Sequence, residues 1–238
     1  MRFQTPLVPG RLIRRYKRFL ADVLLDTGVQ ITAHCPNPGA MLGLAEPGMR
    51  VWLEPNDDPK RKLKYGWRLS HLSGDVWVGI DTGVPNKVIK KALLARTVPE
   101  LAAYGSVRPE VKYAEKSRID FLLVEPGLPD AYVEVKNVHL CRTAGLAEFP
   151  DSVTQRGARH LEDLAGVRAA GHRAVMLYLV QRTDCSRFSV AGDLDPAYGR
   201  GFGTAQAAGV EMLCYDTRID VHGVTFGQAV DIELVPQI

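Results

Sequence analysis

The stretch IDFLLVEPGLPDAYVEVKNV, residues 119–138, decides the fold expected for the second half of the chain. Residues 119–124 are apolar and β-prone, which predicts a strand. Residues 125–130 contain Pro-Gly and Pro-Asp turn signals, and residues 131–138 form a second β-prone run. The turn therefore predicts two strands that fold back against each other.

Three charged residues in these strands form a pattern with chemical meaning. Because side chains alternate along a strand, Glu134 and Lys136 share one face, while Val133 and Val135 point to the other. The turn brings Asp120 on the first strand close to Glu134 and Lys136. An acidic residue on one strand, followed by Glu-x-Lys on the next, is the pattern of PD-(D/E)xK nucleases.

This pattern indicates metal-dependent hydrolysis of a phosphodiester. Asp120 and Glu134, with the main-chain carbonyl of Val135, are the predicted ligands of a hard cation, magnesium or manganese. Such an ion polarises a phosphoryl oxygen and lowers the pKa of a bound water. Lys136 can position that water or stabilise charge on the phosphate, and Glu115 is a candidate third carboxylate. The alternative is a solvated strand face that carries a surface ion pair.

The first 82 residues have the pattern of a small β domain. Apolar and polar residues alternate in residues 28–34, and further strand candidates are residues 49–54, 67–72 and 75–82. Turn residues such as Pro, Gly, Asn and Asp lie between these strands. A five-stranded barrel of the oligonucleotide-binding (OB) type fits this spacing, and so do other small β folds.

From residue 83 the pattern changes to alternating strands and helices, which is typical of an α/β sandwich. The fold class is therefore mixed α/β, with a barrel domain at residues 1–82 and a nuclease-like α/β domain at residues 83–238. Asn86 is a candidate N-cap of the first helix. Helices are expected at residues 86–95, 151–170 and 196–208, a helical turn at residues 98–104, and strands at residues 173–180 and 210–215.

The helix expected at residues 151–170 has a predicted apolar stripe and a polar face. Pro150, Asp151 and Ser152 form its start signal, and Arg159 and His160 are expected on the polar outer face. Three residues near its start are candidates for contact with phosphate. They are Thr154, Gln155 and Arg156, and the apolar stripe is Val153, Gly157, Leu161 and Leu164.

Positive charge is concentrated in the first domain. Residues 1–82 contain 12 Lys or Arg and 8 Asp or Glu, a net charge of +4, whereas residues 83–238 contain 18 and 19, a net charge of −1. Two basic runs interleaved with aromatic residues suit phosphate neutralisation and base stacking. The first run is Arg14, Arg15, Lys17 and Arg18, and the second is Lys60, Arg61, Lys62 and Lys64, with Trp67 following. The alternative is a solvated surface whose aromatic residues lie in the core.

Composition bounds the class of protein. Hydrophobic residues make up 46% and charged residues 24% of the chain, as in ordinary globular proteins. No apolar run has the length needed to span a bilayer, and charges occupy the place of a signal peptide's apolar stretch. We therefore expect a cytoplasmic protein without a membrane partner. The four cysteines form no CxxC pair and are expected to be reduced and mostly buried. The oligomeric state stays open, with a homodimer as one alternative.

Several segments together resemble the sugar fermentation stimulation protein family. They occur in the order LIRRYKRFLADV, TAHCPNPGAM, NDDPKRKLKY, WVGIDT, EVKYAEKSRIDFLL, YVEVKNV, FPDSVTQRGARHL and RAVMLYLVQR. The resemblance implies an N-terminal OB barrel and a PD-(D/E)xK nuclease-like domain, and Asp120, Glu134 and Lys136 match the nuclease motif. Two positions depart from the family pattern, Pro38 in place of Thr and His139 in place of a small polar residue.

The resemblance also implies a function. Members are described as sequence-non-specific DNA binders with a regulatory link to sugar (maltose) metabolism, and their nuclease activity is inferred. Two hypotheses therefore stand. The first is a DNA-binding protein with a magnesium-dependent nuclease site, and the alternative is a DNA-binding regulator with a catalytically silent nuclease fold.

Overall fold

The chain folds as a β-barrel followed by an α/β domain, as the sequence predicts. The structure is a computed structural model that describes residues 1–113 and 118–233. Glu115, the candidate third carboxylate, lies outside the described residues. No helix in the described ranges is long and apolar enough to cross a lipid bilayer.

The elements are numbered in chain order. The strands are β1 (Val8–Tyr16), β2 (Leu20–Leu25), β3 (Gln30–His34), β4 (Arg50–Pro55), β5 (Tyr65–Leu72), β6 (Val76–Gly79), β7 (Ser106–Lys112), β8 (Arg118–Val124), β9 (Ala131–Val138), β10 (Leu140–Thr143), β11 (Leu146–Phe149), β12 (Arg173–Val180), β13 (Arg187–Val190), β14 (Glu211–Asp220), β15 (Gly223–Ala229) and β16 (Asp231–Glu233). The helices are α1 (Val84–Leu94), α2 (Gln155–Ala169) and α3 (Pro196–Ala207), and Pro99–Leu101 forms a short 3₁₀ turn.

The first six strands build the barrel. They pair in the order β3-β2-β1-β4-β5-β6, and an additional pairing between β3 and β5, at His34 and Gly66, closes five of them into a barrel. The sixth strand extends β5 outside this ring. Inward-facing side chains such as Leu12, Val23 and Trp67 are fully or almost fully buried. The predicted five-stranded barrel is therefore confirmed.

The second domain is built on a mixed sheet of order β15-β14-β12-β9-β8-β7. The strands β9, β12 and β14 are parallel, and their outer neighbours are antiparallel. Helix α1 packs on one face of this sheet and α2 and α3 on the other. The last barrel strand ends at Gly79 and α1 begins at Val84, so the predicted boundary at residue 82 falls between them.

A second, smaller sheet in this domain was not predicted. It has the order β10-β11-β13-β16, and its strands are only three or four residues long. Phe188 on β13 and Ala147 on β11 pack into the same core as Leu161 of α2. The small sheet therefore helps to cover the face of the main sheet on which α2 and α3 pack.

Two predicted helix starts are wrong by a few residues. Gly83 is the N-cap of α1, so Asn86 lies inside the helix and is free to use its side chain elsewhere. Thr154 is the N-cap of α2, because its side chain accepts a hydrogen bond from the Gly157 amide at 3.0 Å. Val153 precedes the helix and is 69% exposed, so it is not part of the apolar stripe.

The barrel is joined to the second domain by backbone hydrogen bonds. The Gly79 amide donates to the Gln181 carbonyl at 2.9 Å, and the Thr183 amide donates to the Trp77 carbonyl at 3.1 Å. Val78 and Arg182 form an isolated antiparallel bridge between these bonds. Residues 181–183 therefore continue the barrel sheet beyond β6.

A second contact between the domains involves Asp151. Its Oδ2 accepts a hydrogen bond from the Met41 amide at 2.9 Å and lies 3.3 Å from Nε2 of His139. A Cβ atom on Gly39 would lie 2.6 Å from the same oxygen, so another residue there would have to displace the Asp151 carboxylate. Glycine at position 39 therefore lets the loop after β3 approach Asp151 without disturbing its hydrogen bond with Met41.

Candidate functional site

Asp120 is held on β8, just beyond the end of the pairing between β8 and β9, by two hydrogen bonds. The pairing of β8 with β9 includes Phe121 opposite Val133, so Asp120 and Glu134 follow at the point where the pairing ends. The amide of Val135 donates to Asp120 Oδ2 at 2.8 Å. The side chain of Asn86 on α1 donates to Oδ1 at 2.7 Å. Both strands and α1 therefore fix the orientation of this carboxylate.

Glu134 is the most buried carboxylate of the site, with 4% of its surface exposed. Its Oε1 accepts hydrogen bonds from Lys136 Nζ, at 2.8 Å, and from Nδ1 of His160. Its Oε2 is buried and has no hydrogen-bond partner within residues 1–113 and 118–233. A buried carboxylate oxygen without a donor is costly unless a cation neutralises it.

His160 is a site residue that the sequence analysis misplaced. It was expected on the polar outer face of α2, but it is 3% exposed and points to Glu134. Its Nε2 accepts from Arg156 Nε at 3.3 Å, and Lys136 Nζ lies 3.1 Å from its Nδ1. A neutral ring with its hydrogen on Nδ1 satisfies the contacts with Glu134 and Arg156. The missed signal is spacing, because His160 is three residues after Gly157 and four before Leu164, within the buried stripe.

The two carboxylates have opposite pKa shifts. Burial and the neighbouring negative charge of Glu134 raise the pKa of Asp120 to about 6. Burial alone would also raise the pKa of Glu134, but the hydrogen bond from His160 and the charge of Lys136 outweigh it and lower that pKa. Glu134 is therefore the stronger acid of the pair, whereas Asp120 takes up a proton below about pH 6 unless a nearby cation keeps it ionised.

Tyr113 is a further group near the two carboxylates. Burial raises the pKa of its hydroxyl, and the charges of Asp163, Glu134 and Asp120 raise it further. The hydroxyl is buried and makes no hydrogen bond to another described residue. Tyr113 lies just before the four residues that the structure does not describe, so no simple sequence pattern marked it.

The candidate phosphate contacts at the start of α2 have different surroundings. Thr154 is already engaged, because its side chain caps the helix and its amide donates to Asp195 Oδ2 at 2.8 Å. Gln155 and Arg156 are exposed. Since Arg156 also contacts His160, it lies at the rim of the carboxylate site. It is the member of this group best placed to meet a phosphate near Glu134.

The first basic run lies around the turn between β1 and β2. Arg14, Lys17 and Arg18 are exposed, and Lys17 and Arg18 have positive φ angles of 48° and 61°. Arg14 donates to Asp22 at 2.8 Å. Arg15 is different, because its guanidinium donates to the carbonyls of residues 37, 39 and 40 at 2.8, 2.9 and 3.3 Å. Arg15 therefore holds the loop that reaches Asp151, and the other three residues face solvent.

The second basic run lies in the loop between β4 and β5. Its four cationic residues are exposed, and Lys64 Nζ donates to the Asp58 carbonyl at 2.9 Å. The aromatic residues of the two runs differ in exposure. Trp67 is fully buried in the barrel core, so the prediction that it contributes to base stacking is wrong. Phe19 is 46% exposed and stacks on His34, with 6.4 Å between ring centroids.

A cavity of about 730 Å³ connects the barrel surface with α1. Its lining includes His34, Arg61, Lys62, Tyr65, Arg68 and Lys87. Since Phe19 stacks on His34, the cavity begins beside the first basic run and includes part of the second. Lys87 adjoins Asn86, which donates to Asp120. Arg61 and Lys62 of the second basic run therefore line the same cavity as Lys87 of α1, together with the acidic residues Glu54 and Asp81.

Comparison with known proteins gives consistent matches along the chain. The family model described as "Sugar fermentation stimulation protein RE domain" matches residues 83–223, and the one described as "SfsA N-terminal OB domain" matches residues 13–80. A "Sugar fermentation stimulation protein homolog" of Dinoroseobacter shibae is 66% identical over 238 residues, which cover 100% of this chain and 98% of that protein.

Further similar proteins include a more distant solved structure. A "Sugar fermentation stimulation protein homolog" of Ruegeria pomeroyi is 65% identical over 224 residues, which cover 94% of this chain and 97% of that protein. The solved structure described as "The structure of Pyrococcus Furiosus SfsA in complex with Ca2+" has a TM-score of 0.88 and 25% identity, and covers 98% of both chains.

Proposed function

Because the chain belongs to the sugar fermentation stimulation protein family, we propose that it binds DNA without sequence preference and hydrolyses phosphodiester bonds at a magnesium or manganese site. The observation that carries this proposal is the buried Oε2 of Glu134, which lacks a hydrogen-bond donor among the described residues. Asp120, whose charge acts on Glu134 and whose pKa is raised to about 6, supplies the second carboxylate.

The donor set fits a hard divalent cation. Asp120 and Glu134 offer carboxylate oxygens, and the carbonyl of Val135 is the proposed third protein ligand, all of the oxygen type that Mg²⁺ and Ca²⁺ prefer. The solved relative from Pyrococcus furiosus is described as a complex with Ca²⁺, which supports an oxygen-ligated ion in this family. When bound, the ion would supply Lewis-acid activation of a phosphate and of a water.

The protein groups around the ion have separate proposed roles. His160 orients Glu134 through the bond to Oε1, so that Oε2 faces the metal site. Lys136 Nζ lies 2.8 Å from Oε1, and its ammonium is available to a water or to the negative charge that develops on phosphate. Asn86 and the Val135 amide hold Asp120 in its orientation. The ligands are thus oriented by neighbours before the substrate arrives.

The proposed DNA path follows positive charge from the barrel to the site. Arg14, Lys17 and Arg18 at one turn, and Lys60, Arg61, Lys62 and Lys64 at another, would contact phosphates, while Phe19 offers an exposed ring for stacking. Lys87 in the cavity and Arg156 at the rim would continue this path to Glu134. Such contacts address the DNA backbone, so they give affinity with little sequence preference.

A second candidate function is DNA binding with a catalytically silent site. The observation that favours it is the double contact on Glu134 Oε1, because Lys136 and His160 already offset the charge of this carboxylate without a metal. Under this alternative the fold serves binding alone. The family name links relatives to sugar fermentation, and a cytoplasmic regulator of sugar metabolism that acts through DNA is the role proposed under either candidate.

Nicking of supercoiled plasmid tests the catalytic half of the proposal. Wild type should nick DNA in Mg²⁺ or Mn²⁺, and a chelator should abolish nicking. Asp120→Asn and Glu134→Gln should remove activity because each replaces a charged ligand with a neutral amide. Lys136→Ala should remove activity but leave binding of Mn²⁺ largely intact.

The same preparations test the binding half. All four proteins should bind DNA in the presence of chelator, and the two carboxylate variants should bind at least as well as wild type because a negative charge near phosphate is gone. Equal nicking by all four proteins would identify a contaminant. Absence of nicking with every metal and DNA form, together with intact DNA binding, would replace the nuclease with the silent alternative.

A further inference from the structure

Two of the four cysteines, far apart in sequence, meet in space beside a carboxylate. Cys141 lies on β10, and Asp184 and Cys185 lie in the segment between β12 and β13. The two sulfur atoms and a carboxylate oxygen lie within 4.8 Å of one another. Cys185 is buried and Cys141 is half-buried. In the sequence 44 residues separate them (185 − 141), but the fold brings them together.

We propose that Cys141, Asp184 and Cys185 bind one zinc ion, or a similar thiolate-seeking divalent cation, independently of the oxygen-ligated site at Glu134. Thiolate ligands select zinc over magnesium. Tetrahedral zinc with about 2.3 Å bonds to sulfur places its ligand atoms about 3.5–3.8 Å apart. The three atoms therefore need to close by only about 1 Å. Because Cys141 is half-buried, a water can complete the coordination.

Arg182 provides the charge balance that such a site needs. It is 6% exposed and makes two hydrogen bonds to Asp184, from Nε to Oδ1 at 2.9 Å and from Nη2 to Oδ2 at 2.8 Å. Two thiolates, one carboxylate and a divalent cation sum to −1, and the guanidinium brings the total to zero. A neutral assembly is the form in which buried charges are least costly.

Arg182 also fixes the position of the carboxylate ligand. Its Nη1 donates to the His139 carbonyl at 2.9 Å, so the guanidinium connects Asp184 to the backbone just before β10. Metal-bound carboxylates and imidazoles commonly have such a hydrogen-bonded neighbour, which orients the ligand. Oδ2 of Asp184 keeps a second lone pair, and the Cys185 thiol that donates to Oδ1 at 3.6 Å would lose its proton on binding zinc, so the contact with Arg182 does not prevent metal binding.

The proposed ion would connect the small sheet with the segment that contacts the barrel. Arg182 and Thr183 make the backbone contacts with β6, and Cys141 lies on the first strand of the small sheet. An ion held by Cys141, Asp184 and Cys185 would tie this small sheet to the segment that carries the barrel. Its predicted effect is on stability rather than on hydrolysis.

Cobalt(II) is the probe for the test, because thiolate coordination gives it a charge-transfer absorption that oxygen ligands do not give. Reduced, metal-free protein should bind one equivalent of Co²⁺ with this absorption, and Zn²⁺ should displace it. Cys141→Ser and Cys185→Ser should lose the absorption, and Asp184→Asn should bind at least about tenfold more weakly. Zn²⁺ should raise the midpoint of thermal unfolding of wild type and leave that of Cys185→Ser unchanged.

Two control variants keep the result unambiguous. Cys214→Ser removes a buried thiol on β14 outside the cluster and should keep the cobalt absorption. Asp120→Asn removes a ligand of the proposed magnesium site and should keep it too, so the two proposals fail separately. Circular dichroism of each metal-free variant checks its fold.

Three outcomes would overturn the zinc proposal. The first is the absence of a thiolate absorption in reduced wild type, and the second is its persistence in both serine variants. The third is a disulfide between Cys141 and Cys185 that forms readily in air while the reduced protein takes up no metal. That last result would assign the two thiols to oxidation instead.

Discussion

His160 on α2 donates a hydrogen bond to Glu134 on β9, across 26 residues of sequence. Both side chains are almost completely buried, so the bond ties the helix to the sheet at the centre of the site. The bond occupies Oε1 and leaves Oε2, which has no donor among the described residues, for the proposed metal. His160 is therefore a positioning residue, and its influence on Glu134 can be measured separately from any effect on substrate.

The first prediction concerns this pair. His160→Ala should weaken Mn²⁺ binding about 10–100-fold, the usual effect of losing a hydrogen bond that orients a ligand. His160→Gln, whose amide can still donate to Oε1, should lose less. The bond from His160 lowers the pKa of Glu134, so without it the carboxylate takes up a proton at a higher pH. As pH falls, Mn²⁺ affinity should therefore begin to decline at a higher pH in the alanine variant than in wild type. Calorimetric titration as a function of pH checks both effects, and identical pH profiles would contradict the positioning role.

The second prediction follows from the raised pKa of Asp120, about 6 in the folded protein. The folded state holds this proton more tightly than the unfolded chain does, so the stabilisation is complete below about pH 4 and is lost as pH rises through about 6. A difference of about two pKa units corresponds to at most about 3 kcal/mol. The free energy of unfolding of metal-free Asp120→Asn, relative to that of wild type, should therefore increase by up to that amount as pH rises from about 4 to about 8. Urea unfolding at each pH measures it.

Magnesium provides the control for this effect. At about pH 8 a saturating concentration should stabilise wild type, because the ion compensates the two ionised carboxylates, and should leave Asp120→Asn nearly unchanged. An equal response of the two proteins to magnesium would show that Asp120 is not a ligand.

The third prediction separates the basic runs from ordinary surface charge. DNA affinity should fall steeply with salt, and removing charge from either run should weaken binding and flatten the salt dependence. For the first run the suitable changes are Arg14→Gln, Lys17→Asn and Arg18→Gly, because asparagine and glycine accept the positive φ angles of this turn. For the second run the changes are Lys60→Ala, Arg61→Ala and Lys62→Ala.

A triple variant of equal charge is the control for DNA binding. Arg108, Arg200 and Arg218 are exposed on the second domain and belong to neither run. Their replacement by alanine should reduce affinity much less than either set above. If fluorescence anisotropy gives the same salt slope for all three variants, the runs are merely solvated surface.

The fourth prediction concerns Arg15, which differs from its basic neighbours. Its hydrogen bonds to the loop carbonyls of residues 37, 39 and 40 should make Arg15→Ala cost about 1–2 kcal/mol in unfolding free energy. Lys17→Asn should change stability little because Lys17 is exposed and asparagine accepts its positive φ angle. Hydrogen exchange at the Met41 amide, which donates to Asp151, should be faster in Arg15→Ala only. Unchanged exchange would contradict a structural role for Arg15.

Local patterns predicted the strands whose faces are clearly different. Alternation identified β3, and turn residues on either side marked the candidates for β4, β5 and β6, but β1 and β2 were not among the strand candidates. The pairing of β1 with β2 shifts between Leu12 and Arg14, so the alternation of β1 breaks there. On β2, Ala21, Asp22 and Val23 are all buried, because Asp22, which lies opposite Arg14 and Thr32 on the neighbouring strands, is covered by its hydrogen bonds with Arg14, Tyr16 and Thr32. Neither deviation is visible in hydrophobicity alone.

The site was predictable where its residues share neighbouring strands. Asp120, Glu134 and Lys136 come together because strand alternation and one turn are sufficient to place them. Asn86 and His160 are brought in by helices, 34 residues before Asp120 and 26 after Glu134. Their roles depend on how α1 and α2 pack, which no local pattern contains. The short strands of the small sheet were missed for the same reason, since two of its three pairings, β11 with β13 and β13 with β16, are long-range.

The backbone bonds between β6 and residues 181–183 have a consequence for the energetics of recognition. They make the barrel and the α/β domain parts of one continuous hydrogen-bonded structure, so the two proposed DNA-contacting surfaces keep a constant separation. Binding then involves little loss of domain freedom, which is the usual advantage of a preorganised receptor. Under the proposed function the nucleic acid must adapt its shape to the protein. The deformability of the DNA, through flexible steps, gaps or frayed ends, therefore becomes the property by which substrates are selected.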